Sequence, residues 1–327
     1  MTKIIGIMAI KNAVSQGYPF LEAIYSFLNW GDELYLADDS NDGTENIVYT
    51  LKQSNKIKLF KISWPSDKKF TGNGGVIAYV HSQLIKKIKL DYDDAMIFYL
   101  QANEIAHEQA YTELRDLYKQ YPDYLGYLFP YQIFVGPYMI QDATWRIRYA
   151  NMHNKIKIFG DGTHMEVTKE LSTINFLKEY LYEFYRYLSL REYYFRNFRR
   201  FNRHYKLVYL SKPIFRYGII FPDNIFLKME GHAKVYNKIG LYKDLDTASS
   251  WPSYLYNLSK SKKYKNIDEF YKLASDRMCK NDKETNQRTG LASEPLLVID
   301  HPKIMLGLLG KEKYEPREDI IKKIINC

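Results

Sequence analysis

The sequence predicts a mixed α/β protein: a central sheet flanked by helices, with a mostly helical C-terminal extension. Three observations carry this. Over the first 120 residues, short apolar runs alternate with longer segments of helical spacing, the pattern of strands joined by crossover helices. Beyond residue 125 the pattern turns strand-rich and less regular, and the last hundred residues have mainly helical spacing. A chain of 327 residues that is 46% hydrophobic can bury a full core, and at about 100–200 residues per domain it makes two units or one enlarged domain. With no repeat or low-complexity linker, the expected divisions are 1–125, 126–225 and 226–327, the later parts wrapped around the first rather than tethered to it.

The elements follow in order. Residues 4–10 make a first strand. Pro19 opens a helix to about Leu28, with Phe20, Ile24, Phe27 and Leu28 on one face and Gly31 beyond its end. A second strand, 33–37, runs straight into Asp38-Asp39-Ser40-Asn41-Asp42-Gly43-Thr44, where Thr44 is the expected cap of a helix over 45–53. Residues 58–62 form a third strand, 64–75 a polar loop, and 76–88 a helix. The fourth strand, 96–100, ends at Gln101-Ala102-Asn103-Glu104, and a helix follows over 108–121. Strands are expected near 126–135, 145–148 and 155–159, a long helical stretch over 177–205, and strand-like alternation over 207–220.

Composition narrows the class of protein. A net charge of +9 suggests an anionic partner without choosing among nucleotide, nucleic acid and lipid head group. Cys279 and Cys327 make at most one bridge, so disulfides do not hold this fold, and a cytoplasmic site is expected. The first eleven residues read as a strand rather than a signal peptide. The longest uncharged run, 124–141, contains Gly126, Pro130, Gly136 and Pro137, which disfavour a spanning helix. The arm 190–206 interleaves six Lys or Arg with aromatics against the single Glu192. It reads first as a helix with buried aromatics and solvated arginines, then as a peripheral contact with the inner face of an anionic membrane; nucleic acid is the lesser alternative.

Ligands collect at the carboxyl ends of parallel strands, so the segments after the second and fourth strands should share one crevice. Carboxylates after a strand, with Gly43 permitting a tight turn into a helix, suit a base or ribose; an ordinary acidic turn with a helix cap reads from the same residues. Gly72-Asn73-Gly74-Gly75 lacks the Lys-Ser/Thr ending of a phosphate loop. His107 with Glu108 reads as helix-end chemistry more than as ligands, and His153 and His164 have no zinc spacing.

In order and spacing, Lys11-Asn12, Asp38 to Thr44 and Gln101 to Glu104 resemble the family 2 glycosyltransferases. The resemblance continues through Trp145-Arg146-Ile147-Arg148, Gly160-Asp161-Gly162, Arg216-Tyr217-Gly218 and His301-Pro302. It implies a GT-A, Rossmann-like fold, with 1–125 as its nucleotide-sugar half and 126–225 as its acceptor half. It also implies transfer of a sugar from a nucleoside diphosphate donor, a UDP-sugar in the simplest case, to a hydroxyl of a glycan, lipid-linked or protein acceptor. By that analogy Asp38 and Asp39 face base and ribose with Asn12 and Asp42 nearby, Gly74 to His81 borders the diphosphate or donor sugar, and Asp161 is the first choice for the general base, ahead of Asp142 and Glu166.

Two departures bear on the cofactor. Relatives commonly carry an Asp-x-Asp pair at the fourth strand, because hard divalent cations need anionic oxygen ligands. Here Gln101 and Asn103 are neutral carboxamides, leaving Asn103 and Glu104 as a weakened site for manganese or magnesium. Where relatives often have His-Tyr-Gly, this chain has Arg216-Tyr217-Gly218. An arginine offers a bidentate fork to a diphosphate, so the expected enzyme depends weakly or not at all on metal, with Arg216 partly replacing the cation. The alternative is a catalytically silent protein of the same fold that binds nucleotide, membrane surface or nucleic acid.

Overall fold

Strand β1 (Lys3–Ile10) lies between β2 (Glu33–Asp38) and β4 (Ala95–Tyr99), parallel to both. Parallel strands in such a position are covered on both faces, which is why β1 is an apolar run rather than an alternating one. In this computed structural model, residues 2–65, 75–122, 124–159, 164–168, 207–235, 245, 250–285, 291–298 and 301–327 are described. β3 (Ile57–Lys61) extends the parallel half beyond β2. Helices α1 (Phe20–Leu28), α2 (Thr44–Leu51) and α3 (Gly75–Asp91) lie in the connections between these strands.

The two faces of β1 feed two cores. Met8 and Ile10 pack with Phe20, Ile24 and Phe27 of α1, and with Leu114 of α4 (Glu108–Gln120). Ile5 and Ile7 pack with Val80, Leu84 and Ile88 of α3. Gly6 shows how tightly α1 is seated: a Cβ there would stand 2.6 Å from the Phe27 ring.

The second half of the sheet is antiparallel where it meets the first. β6 (Gly126–Val135) and β7 (Tyr138–Asn151) form a long hairpin, and β7 pairs antiparallel with β4. β11 (Ile214–Ile219) runs parallel to β6 and antiparallel to the short β5 (Glu104–Ala106). The strand order is therefore β3-β2-β1-β4-β7-β6-β11-β5, with β10 (Leu207–Tyr209) beside β6 and β12 (Leu291–Leu297) beside β7. β8 (Lys155–Phe159) and β9 (His164–Thr168) form a separate two-stranded sheet.

The mixed α/β class is as the sequence predicts, and the first strands and helices fall within a few residues of their expected bounds. Two details differ. Gly43, at φ 95°, is the cap of α2, and Thr44 is its first residue, turned inward to accept from the Val14 amide at 3.0 Å. The C-terminal hundred residues are mainly helical, as expected, with one strand added. β12 joins the main sheet, while α5 (Pro222–Val235), α6 (Trp251–Ser261) and α7 (Ile267–Thr285) pack with Val135, Ile140 and Ile219 in a third core. Met305, Leu308, Tyr314 and three isoleucines of α8 (Glu318–Ile325) enter the α1 core directly. The helical stretch expected over 177–205 lies outside the described residues.

Docking of the C-terminal segment buries Glu22 of α1 completely, and the Tyr314 hydroxyl donates to its Oε2 at 3.4 Å. Burial pushes the Glu22 carboxyl up to about 7, against the opposing pull of a backbone amide and of Arg317. Between its ordinary value of 4.5 and about 7, the folded chain keeps a proton that the unfolded chain releases. Stability therefore falls as pH rises through that window, and above it the loss stays constant.

Two outcomes test this packing. Gly6→Val is expected to lower stability by about 2 kcal/mol, read from the urea midpoint, because the added methyls meet Phe27. Glu22→Gln is expected to remove most of a stability loss on the order of 3 kcal/mol between pH 4.5 and 8, measured as urea midpoints across that range.

Candidate active site

The carboxyl ends of β1, β2 and β4 lie side by side, because the three strands are parallel and adjacent. At about 4.8 Å between neighbouring strands, the ends of β2 and β4 are roughly 10 Å apart. The chain leaving each end bonds back to β1: the Asp39 amide donates to Ile10 O at 3.3 Å, and the Leu100 amide to Ile7 O at 3.2 Å.

The first loop pair is knotted through side chains that the sequence singled out. Asn12 sits in left-handed backbone at φ 51°, a conformation asparagine tolerates better than most residues. Its Oδ1 accepts from the Asn41 amide at 2.9 Å, and its own amide donates to Ser40 Oγ at 2.8 Å. Asp42 accepts from the Ser15 amide at 2.7 Å and from the Thr44 amide at 3.1 Å. Burial alone would raise the Asp42 carboxyl, but these bonds overcome it and hold the group below its ordinary value. Asp38 takes the Ser40 hydroxyl at 2.6 Å; burial outweighs that bond and raises its carboxyl.

Asp39 belongs to a charged and aromatic corner. Its Oδ2 accepts from Lys11 Nζ at 2.6 Å and from the Trp64 amide at 3.0 Å, and Lys11 stands 5.4 Å from the Trp64 ring centre. Asn12, Asp38, Asp39 and Asp42 are thus brought together in one loop pair, with Trp64 beside them.

The segment after β4 is built differently from the expectation. Glu104 is fully buried: Oε1 accepts from Arg148 Nη2 at 2.7 Å and from the Tyr131 hydroxyl at 2.6 Å, and Oε2 from the Gln101 amide at 3.1 Å. Although burial opposes its charge, Arg148 is held above its ordinary value, chiefly by Glu104. Asn103 is 4% exposed; its Nδ2 donates to Tyr217 O at 3.4 Å, and the Tyr217 amide donates to Asn103 O at 2.9 Å. Gln101 Nε2 donates to the Tyr99 hydroxyl at 3.4 Å.

The expected cation ligands Asn103 and Glu104 therefore fit a divalent ion poorly. One is buried and donates to a strand carbonyl, and the other already neutralises an arginine. Among the described residues, no group of three or more His, Cys, Asp or Glu is arranged to hold a metal ion. The sequence offered no warning that Glu104 faces inward, because its partners Tyr131 and Arg148 lie 27 and 44 residues away.

Arg216 sits on β11, paired through the backbone with Glu104 and with Ile133 of β6, and its side chain is half-buried. Its charge is felt at Tyr131, at Arg148 and at Lys228 of α5. Lys228 is 4% exposed, donates to the Gly218 carbonyl, and stands 4.3 Å from the Tyr18 ring centre. Burial, then the charge of Arg216, push its amine well below the usual lysine range. Sequence reasoning passed over Lys228, although a lysine between Ile225 and Met229 on an otherwise buried helix face was a readable signal. Trp64 was placed in a loop and given no role.

The expectations for Gly74, Asp161, the side chains of Asp142 and Glu166, and the arm 190–206 lie outside the described residues. No helix among the described residues is long and apolar enough to cross a membrane.

No protein-family model matches the chain, and no curated protein matches it. Solved structures do, at low identity. Staphylococcus aureus TarS is 11% identical over 80% of this chain and 42% of its own, with a TM-score of 0.34. A putative glucose-1-phosphate thymidylyltransferase from Bacillus anthracis is 10% identical over 72% of this chain and 96% of its own, at 0.35. A putative nucleotide-diphospho-sugar transferase from Desulfovibrio desulfuricans is 8% identical over 84% of this chain and 99% of its own, at 0.33. This chain thus spans less than half the length of the TarS chain. Likeness at this level assigns neither reaction nor substrate, and the α/β class rests on the strand order itself.

The buried triad gives a direct prediction. Arg148→Met leaves the Glu104 carboxylate buried without its counter-charge, and is expected to cost about 4 kcal/mol in urea unfolding. Glu104→Gln combined with Arg148→Met is expected to recover most of that loss.

Proposed function

We propose that the chain is a glycosyltransferase that moves a sugar from a nucleoside diphosphate sugar to an acceptor hydroxyl, with weak or no need for a divalent cation. The observation that carries this reading is the knotted pair of loops at the ends of β1 and β2, beside the end of β4. Asp38, Asp39 and Asn12 supply carboxylate and amide groups for a base and ribose, and the half-buried Trp64, whose amide donates to Asp39, brings an aromatic side chain to the same corner.

In the reaction, the bond from the sugar's anomeric carbon to the diphosphate oxygen breaks, and the acceptor oxygen takes its place. The acceptor proton passes to a general base, for which Asp161 remains the candidate. Negative charge grows on the departing diphosphate, and a guanidinium held near it stabilises that charge more in the transition state than before. Arg216 suits this role, and the engagement of Glu104 with Arg148 supports a site that works through arginine rather than a bound cation.

Turnover of a panel of nucleotide sugars, UDP-sugars first, is expected to persist in EDTA. Arg216→Gln is expected to lower kcat by about 100-fold, a loss typical of removing one donor to a developing negative charge. Turnover abolished by EDTA and restored by manganese would overturn the arginine assignment.

A further inference from the structure

Away from the strand ends, a cavity of about 550 Å³ opens on the face of the sheet that carries α1 and α4. That volume lies within the range of about 300–1,000 Å³ usual for small-molecule sites. Its walls come from α1 and the turn after it, from α4, and from the C-terminal segment around Lys303 and Arg317. Trp30 and Tyr111 are stacked 4.3 Å apart and almost fully buried, so this wall is rigid.

Four cationic side chains line the space, Arg115, Lys303, Arg317 and Lys323, against the single lining carboxylate of Glu108. Asp319 answers part of that charge, bonding Arg317 at 3.2 and 3.0 Å and lying 3.7 Å from Lys323. Arg115 is fixed without being neutralised, since Nη2 donates to the Trp30 carbonyl at 3.1 Å. Among the described residues, neither Arg115 nor Lys303 forms an ion pair. Collecting like charges around a cavity opposes folding unless a bound anion repays it, and guanidinium forks match tetrahedral oxyanions bidentately.

We propose that this cavity is a second ligand site, for a small polyanion bearing phosphate groups. It stands independently of the transferase reading, because none of its lining residues belongs to the strand-end loops.

The test uses the full chain labelled with 15N and its four tryptophan indoles as reporters. Trp30 lines the cavity and Trp64 adjoins Asp39, so the two indole signals, assigned with Trp30→Phe and Trp64→Phe, report the two sites separately. Titration with inorganic pyrophosphate is expected to move the Trp30 signal saturably. Arg115→Gln combined with Lys303→Gln is expected to weaken that response at least about tenfold and leave the Trp64 signal as in the parent chain. Should that variant fail to fold, Lys303→Gln with Lys323→Gln removes two charges from the rim and is expected to do the same. A Trp30 signal unmoved by millimolar pyrophosphate, or moved equally in the variants, overturns the proposal whatever Trp64 does. A Trp64 signal that stays fixed while Trp30 responds would count against the nucleotide site and leave this one standing. Repeating the titration with a nucleoside diphosphate and with a sugar phosphate distinguishes the two sources of phosphate by which binds Trp30's site more tightly.

Discussion

A carboxylate taken wholly out of water must be paired, and Glu104 is paired three times over. That requirement ties the turn after β4 to β7 through Arg148, to β6 through Tyr131 and to its own start through the Gln101 amide. Since β11 pairs with both β5 and β6, the same knot sets where Arg216 and Tyr217 stand. The antiparallel half of the sheet is thereby registered against the parallel half at the carboxyl ends of the parallel strands.

A chain that spends its one carboxylate of this turn on an internal arginine has little left to offer a hard cation there. Of the cations nearby, Arg148 is engaged by Glu104, and burial together with the charge of Arg216 drives Lys228 toward its neutral form. The acidic residues of the neighbouring loop do other work: Asp42 stitches two loops together through backbone amides, and Asp39 holds Lys11 and the Trp64 backbone.

The C-terminal hundred residues are part of the same physical object. Tyr314 reaches Glu22, Asn224 bonds the carbonyls of Val14 and Ser15, and β12 lies along β7. The loop that holds Asn12 is thus braced from behind by α5, and the basic cavity exists only because the last segment closes over α1 and α4.

Local chemistry determined a good deal of this in advance. The apolar run of β1, the periodicity of α1 and the acidic turn after β2 were legible because each depends on neighbours a few residues away. That the ends of these strands lie side by side was legible too, since parallel crossovers bring successive strand ends to one edge. What only the tertiary structure decided are the choices made between distant residues: that Glu104 faces Arg148 rather than solvent, that Thr44 turns inward beneath Val14, and that a lysine on α5 lies beside Arg216. A side chain's charge and hydrogen-bonding capacity are written in the sequence, but the partner that satisfies them is set by which strands pair, and that is a property of the whole sheet.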